Sequence, residues 1–187
     1  DYLDVFIARL SITSKYCFIT TNDGYYRKHH DSTNWIKPNS NIQNFPFWYI
    51  ESIDSVVMAT TNENAYFSKD YGMSFDTLFS GVIRNLFKVD TGLYVLFDNY
   101  TLYSLDLGQT WDTINHPENS NEIHYDQFDI SGKNCLLGGA YFIPSMFHVQ
   151  ISYDLGRQWE YISYDLPLPP GFSSIGIVKF VDNDVFV

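Results

Sequence analysis

Three strings in this chain place a serine, an aspartate and a glycine at one fixed spacing and end on an aromatic ring. They are SKDYGMSF at 68–75, SLDLGQTW at 104–111 and SYDLGRQW at 152–159. A recurring carboxylate admits three chemistries: cation ligation, acid–base catalysis, or a turn locked by its own side chains. Each string holds a single aspartate, whereas a calcium site gathers several oxygens. The turn reading accounts for every position. Gly72, Gly108 and Gly156 tolerate positive φ, and serine and aspartate oxygens accept bonds from nearby backbone amides. The closing ring covers the hairpin with a large apolar face. We therefore read Asp70, Asp106 and Asp154, with Ser68, Ser104 and Ser152, as architecture.

The elements that position these strings also repeat. TTNDGYY at 20–26, TTNENAY at 60–66 and LFDNYTLY at 96–103 precede Trp35, Phe75 and Trp111 at matching distances, although KHHDSTN before Trp35 is a degenerate version of the acidic string. The closing aromatics Trp35, Phe75, Trp111 and Trp159 lie 40, 36 and 48 residues apart. Periods of ~40–50 residues suit four-stranded propeller blades. Each unit divides into four short apolar strands joined by Asn, Asp and Gly turns. The expected fold is all-β, a single β-propeller domain over 1–187. Its blades are 5–37, 45–79, 82–114 and 123–164, and 174–187 opens a fifth. The first blade is expected to contain four strands, NWIK being the last. The natural protein is expected to continue past Val187 as a larger propeller.

Among 187 residues, 22 Asp and Glu against 11 Lys and Arg give a net charge of −11. Such a surface repels phosphate backbones, so nucleic acid is not an expected partner. No apolar run is long enough to span a membrane. The lone cysteines, Cys17 in KYCFITT and Cys135 in KNCLLGG, hold one repeat position, so both are expected to be free and buried. His29, His30, His116, His124 and His148 show no metal-ligand spacing; no metal and no cofactor is expected. The aromatic cluster NFPFWY at 44–49 suits either a contact platform or blade packing.

The three strings resemble the Asp-box, or bacterial neuraminidase repeat, S-x-D-x-G-x-T-W. Ser104, Asp106, Gly108, Thr110 and Trp111 match it fully. Ser152, Asp154, Gly156 and Trp159 match with Gln158 departing, and Ser68, Asp70, Gly72 and Ser74 match with Phe75 in place of tryptophan. The resemblance implies a propeller shared by sialidases, sortilin-like receptors, xyloglucanase-type glycosidases and non-enzymatic secreted proteins. It puts the box hairpin between strands three and four, away from the ligand face. That face is built by the turns between strands two and three, which here carry Asp23, Glu63, Asp98, Tyr100, Tyr141 and Phe142.

A sialidase needs an arginine cluster. Only Arg9, Arg27, Arg84 and Arg157 exist, and Phe142-Ile143-Pro144 lacks the arginine of the Arg-Ile-Pro signature. A xyloglucanase-type site needs two opposed aspartates, for which Asp23 and Asp98 are the candidates. The expected function is a non-catalytic secreted or cell-surface propeller that binds protein or glycan. The alternative is a glycoside hydrolase with catalytic residues partly outside this segment.

Overall fold

The computed structural model describes residues 7–38, 42, 47–61, 63–117, 123–141, 147–162, 178–181 and 184–186; for residues 7, 8, 140, 141 and 147 it describes backbone alone. Every regular element among them is a β-strand. Two compact units emerge, one holding residues up to Val95 with Ser104–Trp111, the other Leu96–Tyr103 with the chain from Asp112 onward.

In the first unit, β1 (Ile7–Ile12), β2 (Tyr16–Thr21) and β3 (Gly24–His29) form an antiparallel meander. A second follows from β4 (Tyr49–Ile53), β5 (Val56–Thr60), β6 (Asn64–Ser68) and β7 (Asp76–Ser80). The third sheet has the order β11-β10-β9-β8, from β8 (Ile83–Val89), β9 (Gly92–Phe97), β10 (Tyr100–Ser104) and β11 (Asp112–Asn115). In the second unit, β12 (Ile123–Ser131), β13 (Asn134–Tyr141), β14 (Phe147–Ser152) and β15 (Glu160–Tyr161) make a fourth sheet. The strands β16 (Lys179–Val181) and β17 (Asp184–Phe186) pair with each other. Asp54 and Asp90, at φ 53° and 51°, supply the left-handed residue of two of the hairpins between strands one and two, a conformation aspartate tolerates better than most side chains.

The first sheet corrects one expectation. NWIK is not a strand; Ile36 alone bridges Arg27, through two backbone bonds of 2.8 and 2.9 Å. The acidic turn that locks the other hairpins is missing from KHHDSTN, and Pro38, which has no N–H to donate, ends the pairing two residues on.

The core of the first unit lies between the first two sheets. Phe18, Tyr25, Phe47, Ile50, Val57, Ala59, Tyr66 and Phe75 are all buried. Tyr25 meets Phe47 and Phe75 edge-on, with ring centroids 5.8 and 5.4 Å apart, the geometry that aligns positive ring edges with negative faces. Of the 44–49 cluster, Phe47 joins this core while Trp48 stays exposed. In the second unit, Leu136, Val149 and Ile151 pack with Val178, Phe180 and Val185.

Register explains the glycines of the acidic strings. A methyl group on Gly72 would touch Phe18 and Tyr25, on Gly108 it would meet Phe67 at 2.4 Å, and on Gly156 it would meet Ile114 at 2.5 Å. The closing rings repeat this pattern. Phe75 packs on Tyr25, Trp111 on Phe79, and Trp159 donates its indole N–H to the Asn115 carbonyl. Each acidic hairpin is thus the joint between its own sheet and the preceding one.

The two cysteines do occupy one slot: Cys17 pairs with Ile12 and Cys135 with Ile130. Cys135 is buried, but Cys17 is only half-buried, which corrects the second expectation. Among the described residues, Leu10 and Ile12 on the same face as Cys17 are exposed as well. Burial, aided by the Asp154 carboxylate, pushes the Cys135 thiol up to about 12, and thiolate is the reactive form. A thiol reagent should therefore label one cysteine of the native protein, Cys17, and a second only after denaturation. Two unreactive native thiols would contradict the exposure difference.

Candidate functional site

The acidic strings form one hydrogen-bonded device. In the second sheet, Asp70 Oδ1 accepts bonds from the Met73 and Ser74 amides and the Ser68 hydroxyl, and Oδ2 accepts the Ser74 hydroxyl at 2.6 Å. Asp106 repeats this with Gln109, Thr110 and Ser104. Asp154 accepts from Arg157, Gln158 and Ser152. Each serine hydroxyl also accepts the glycine amide, at 2.9, 2.7 and 2.8 Å. Burial alone would raise the Asp70 carboxyl, but the bonds from Ser74, Ser68 and Met73 outweigh it and hold Asp70 at about 2. The Thr110 hydroxyl and amide, with Ser104, hold Asp106 at about 2. Gln158 has no hydroxyl to give. Asp154 is still lowered, chiefly by the Gln158 amide and the Ser152 hydroxyl. Carboxylates engaged in this way are ionised and occupied by their own hairpins.

The turns between strands two and three differ. Asp23 is exposed in the β2–β3 turn. Its Oδ2 accepts the Tyr26 hydroxyl at 2.7 Å and pairs with Lys37 Nζ at 3.0 Å. The Tyr26 hydroxyl and Lys37 both lower its pKa. The turn itself is set by Thr21, whose hydroxyl accepts the Asp23 amide. Thr61, at the same place in the shared TTN string, accepts the Glu63 amide in the same way in the β5–β6 turn. Glu63 is exposed, and its carbonyl accepts the Gly81 amide at 2.8 Å.

In the β9–β10 turn the Asp98 carbonyl accepts His116 Nδ1–H at 3.1 Å, and Asp98 Oδ1 lies 3.6 Å from His124 Nδ1. Tyr100 stacks on Phe97, centroids 4.7 Å apart. Tyr141 ends β13 on the backbone alone, and Phe142 lies outside the described residues.

Sequence reasoning missed the partners of these turns. Lys37, Gly81 and His116 each directly follow the fourth-strand position of their sheet, and each ties down the preceding turn: an ion pair in the first case, a backbone bond in the second, an imidazole in the third. Matching turns are anchored from matching positions by unrelated chemistry, so no string repeats. His116 is the most constrained. A carbonyl can only accept, so Nδ1 carries the proton and Nε2 accepts the Thr101 hydroxyl at 2.9 Å. Burial depresses its pKa to about 4. The one signal for it was the apolar spacing that places residue 116 at the end of a strand.

An open groove of about 760 Å³ also lies in the second unit, between β11 and the fourth sheet's acidic hairpin. Asp112, Asn115, Arg157 and Trp159 line it. The described residues hold no group of three or more His, Cys, Asp or Glu of metal-site geometry. They include no helix long and apolar enough to cross a membrane, which says nothing of a β-barrel.

No protein-family model matches the sequence, and a comparison with curated proteins yields no match. Solved structures do match. YCF48 bound to D1 peptide superposes with a TM-score of 0.59 at 18% identity, over 87% of this chain and 56% of that one. An ancestral GH74 enzyme superposes at 0.65 and 13% identity, over 83% of this chain and 25% of that one. The extracellular domain assigned to a one-component system of B. thetaiotaomicron superposes at 0.59 and 9% identity, over 95% and 30%. All three are β-propeller proteins. The fold here is of the β-propeller type. At these identities the likeness speaks for fold and not for activity, and the chain spans only a quarter to just over half of these three proteins.

Proposed function

We propose that this chain is an Asp-box propeller segment, four blades and the start of a fifth, that binds a protein or glycan without catalysis. Its ligand-binding elements are the turns between strands two and three. The observation that carries this reading is the contrast between two sets of carboxylates. Asp70, Asp106 and Asp154 are filled by bonds from the amides and hydroxyls of their own hairpins, whereas at the turns between strands two and three Glu63 presents an exposed acid group, Asp23 an exposed one engaged through Oδ2 by Tyr26 and Lys37, and Asp98 a half-exposed one near His124. Tyr26 stands beside Asp23, and Tyr100 follows Asp98 in its own turn, each an amphipathic ring. On a chain of net charge −11, such a face favours ligands with basic groups, steered from a distance. That YCF48 has been solved with a bound peptide supports a protein ligand. Secretion or display at a cell surface goes with this reading.

The test screens the chain against basic peptides and neutral glycans. Asp23→Asn and Glu63→Gln together should weaken the selected ligand at least about tenfold, the scale of one or two charge-assisted bonds. Melting temperature should move by less than about 4 °C, because both groups are exposed and a surface ion pair such as Asp23–Lys37 contributes little. Hydrolysis of β-glucan or sialoside substrates that those substitutions abolish would establish an enzyme instead. Undiminished binding would move the ligand to another face.

A further inference from the structure

The lining of the groove between β11 and the acidic hairpin of the fourth sheet includes none of Asp23, Glu63 and Asp98, so it is separate from the proposed ligand turns. Register explains why it opens there. At the preceding joint Trp111 meets Phe79 edge-on, with centroids 5.2 Å apart. Phe79 pairs with Ala65, three residues before Ser68, and Ile114 pairs with Thr101, three residues before Ser104. Ile114 therefore takes the place of Phe79, and Trp159 has an aliphatic side chain where Trp111 has a ring. The smaller side chain leaves space beside the indole.

The groups around that space suit one ligand chemistry. Trp159 is half-buried and held at two points. Its N–H donates to the Asn115 carbonyl at 3.0 Å, and His116 meets its ring at 87°, with centroids 6.5 Å apart. A ring fixed in this way offers an apolar surface without further ordering on binding. Exposed polar groups of both senses stand around it. Asp112 is the one carboxylate of the lining. Its Oδ1 accepts the Thr113 amide at 2.8 Å and its Oδ2 the Tyr103 hydroxyl at 3.3 Å, and each oxygen keeps a second lone pair. Arg157 is the one fixed cation and brings guanidinium donors, while the Asn115 side chain both donates and accepts. His116 is held neutral by burial. The groove is thus balanced in charge on a chain of net charge −11. A basic ligand would be set against Arg157 and an acidic one against Asp112. Sugar hydroxyls both donate and accept, and the C–H side of a sugar ring is apolar. We propose that this groove binds a neutral oligosaccharide, with one sugar ring on Trp159 and neighbouring hydroxyls bonded to Asp112, Asn115 and Arg157. Its volume of about 760 Å³ falls within the range of small-ligand sites, about 300–1,000 Å³.

The test follows the isotopically labelled chain by NMR while cellotetraose, xylotetraose, mannotetraose and maltotetraose are each titrated from micromolar to tens of millimolar. At least one of them should move the Trp159 indole N–H, assigned by its loss in Trp159→Phe, together with the amides of Thr113, Asn115 and Arg157. Asp112→Asn and Arg157→Met should each weaken that saccharide at least about fivefold, the scale of one hydrogen bond to a charged group. Thr113→Trp fills the groove from an exposed strand position and should abolish binding. All three variants should keep the wild-type spectrum away from the groove, which shows that they fold. Four saccharides that leave these signals unmoved, full binding by Asp112→Asn and Arg157→Met, or binding that survives Thr113→Trp would each overturn the proposal. So would tighter binding of tetragalacturonate at the same signals. Shifts confined to the turns between strands two and three would place the glycan there and overturn this site alone.

Discussion

Gly108→Ala should lower the melting temperature by roughly 10 °C. Gly108 sits at φ 80° directly after Leu107 at φ 57°. A side chain in the left-handed region costs about 1–2 kcal/mol. The added methyl would also lie 2.4 Å from Phe67 Cε2, and Phe67 is 6% exposed, so its ring has little room to retreat. Overpacking of this kind costs about 1–3 kcal/mol. Together these give about 3–4 kcal/mol, and each kcal/mol shifts the midpoint of a chain this size by about 2–4 °C. Gly132 is the control: at φ 61° it is left-handed too, but its Cβ would meet nothing within 4 Å. Gly132→Ala should lose only the conformational part, about 3 °C. Thermal melts of the two variants, followed by circular dichroism, decide the matter. Equal losses would mean that the hairpin is not seated on the preceding sheet.

Acidification from pH 6.5 to 4 should remove about 3 kcal/mol of stability through His116. The sign follows from the direction of the shift. The folded protein holds His116 at about 4, below the 6.5 of an unfolded chain, so the unfolded state takes up the proton first. The contribution is complete above pH 6.5 and is lost as pH falls toward 4. Protonation would force a second proton onto Nε2, which accepts from Thr101 inside a buried site. His148, also lowered by burial, acts in the same direction. Asp70 and Asp106 contribute in a separate, lower window, between the ordinary carboxylate range and about 2. Urea melts across this range should show the slope, and His116→Asn should flatten most of it while lowering stability at pH 7.5. A wild-type curve that is flat between pH 4 and 6.5 would refute the buried neutral imidazole.

Local turn chemistry was the legible part of this protein. Ser68, Asp70, Gly72 and Ser74 lie within seven residues, so the bonds among them depend on little outside the string. The threonines at 21 and 61 set their turns for the same reason. The candidate ligand face was legible only as a set of equivalent turns. Asp23, Glu63 and Asp98 could be located by topology, but Lys37 and His116 could not be paired with them, since the groups involved are 14 and 18 residues apart in a chain whose strands had first to be placed.

By itself the sequence determined the repeating unit, the strand order within it and the locked hairpin, because alternation and turn residues act over a few positions. What lies over each face was decided by tertiary structure. Cys17 and Cys135 share one slot and one local pattern, yet one is half-open and the other sealed. Trp35 ends its unit as Phe75 ends the next, yet it lies exposed where Phe75 is buried against Tyr25. The glycines could be read as turn residues, but not as the seats of Phe67 and Ile114. Burial is a property of neighbours brought together from distant parts of the chain, and identical strings in different sheets meet different neighbours.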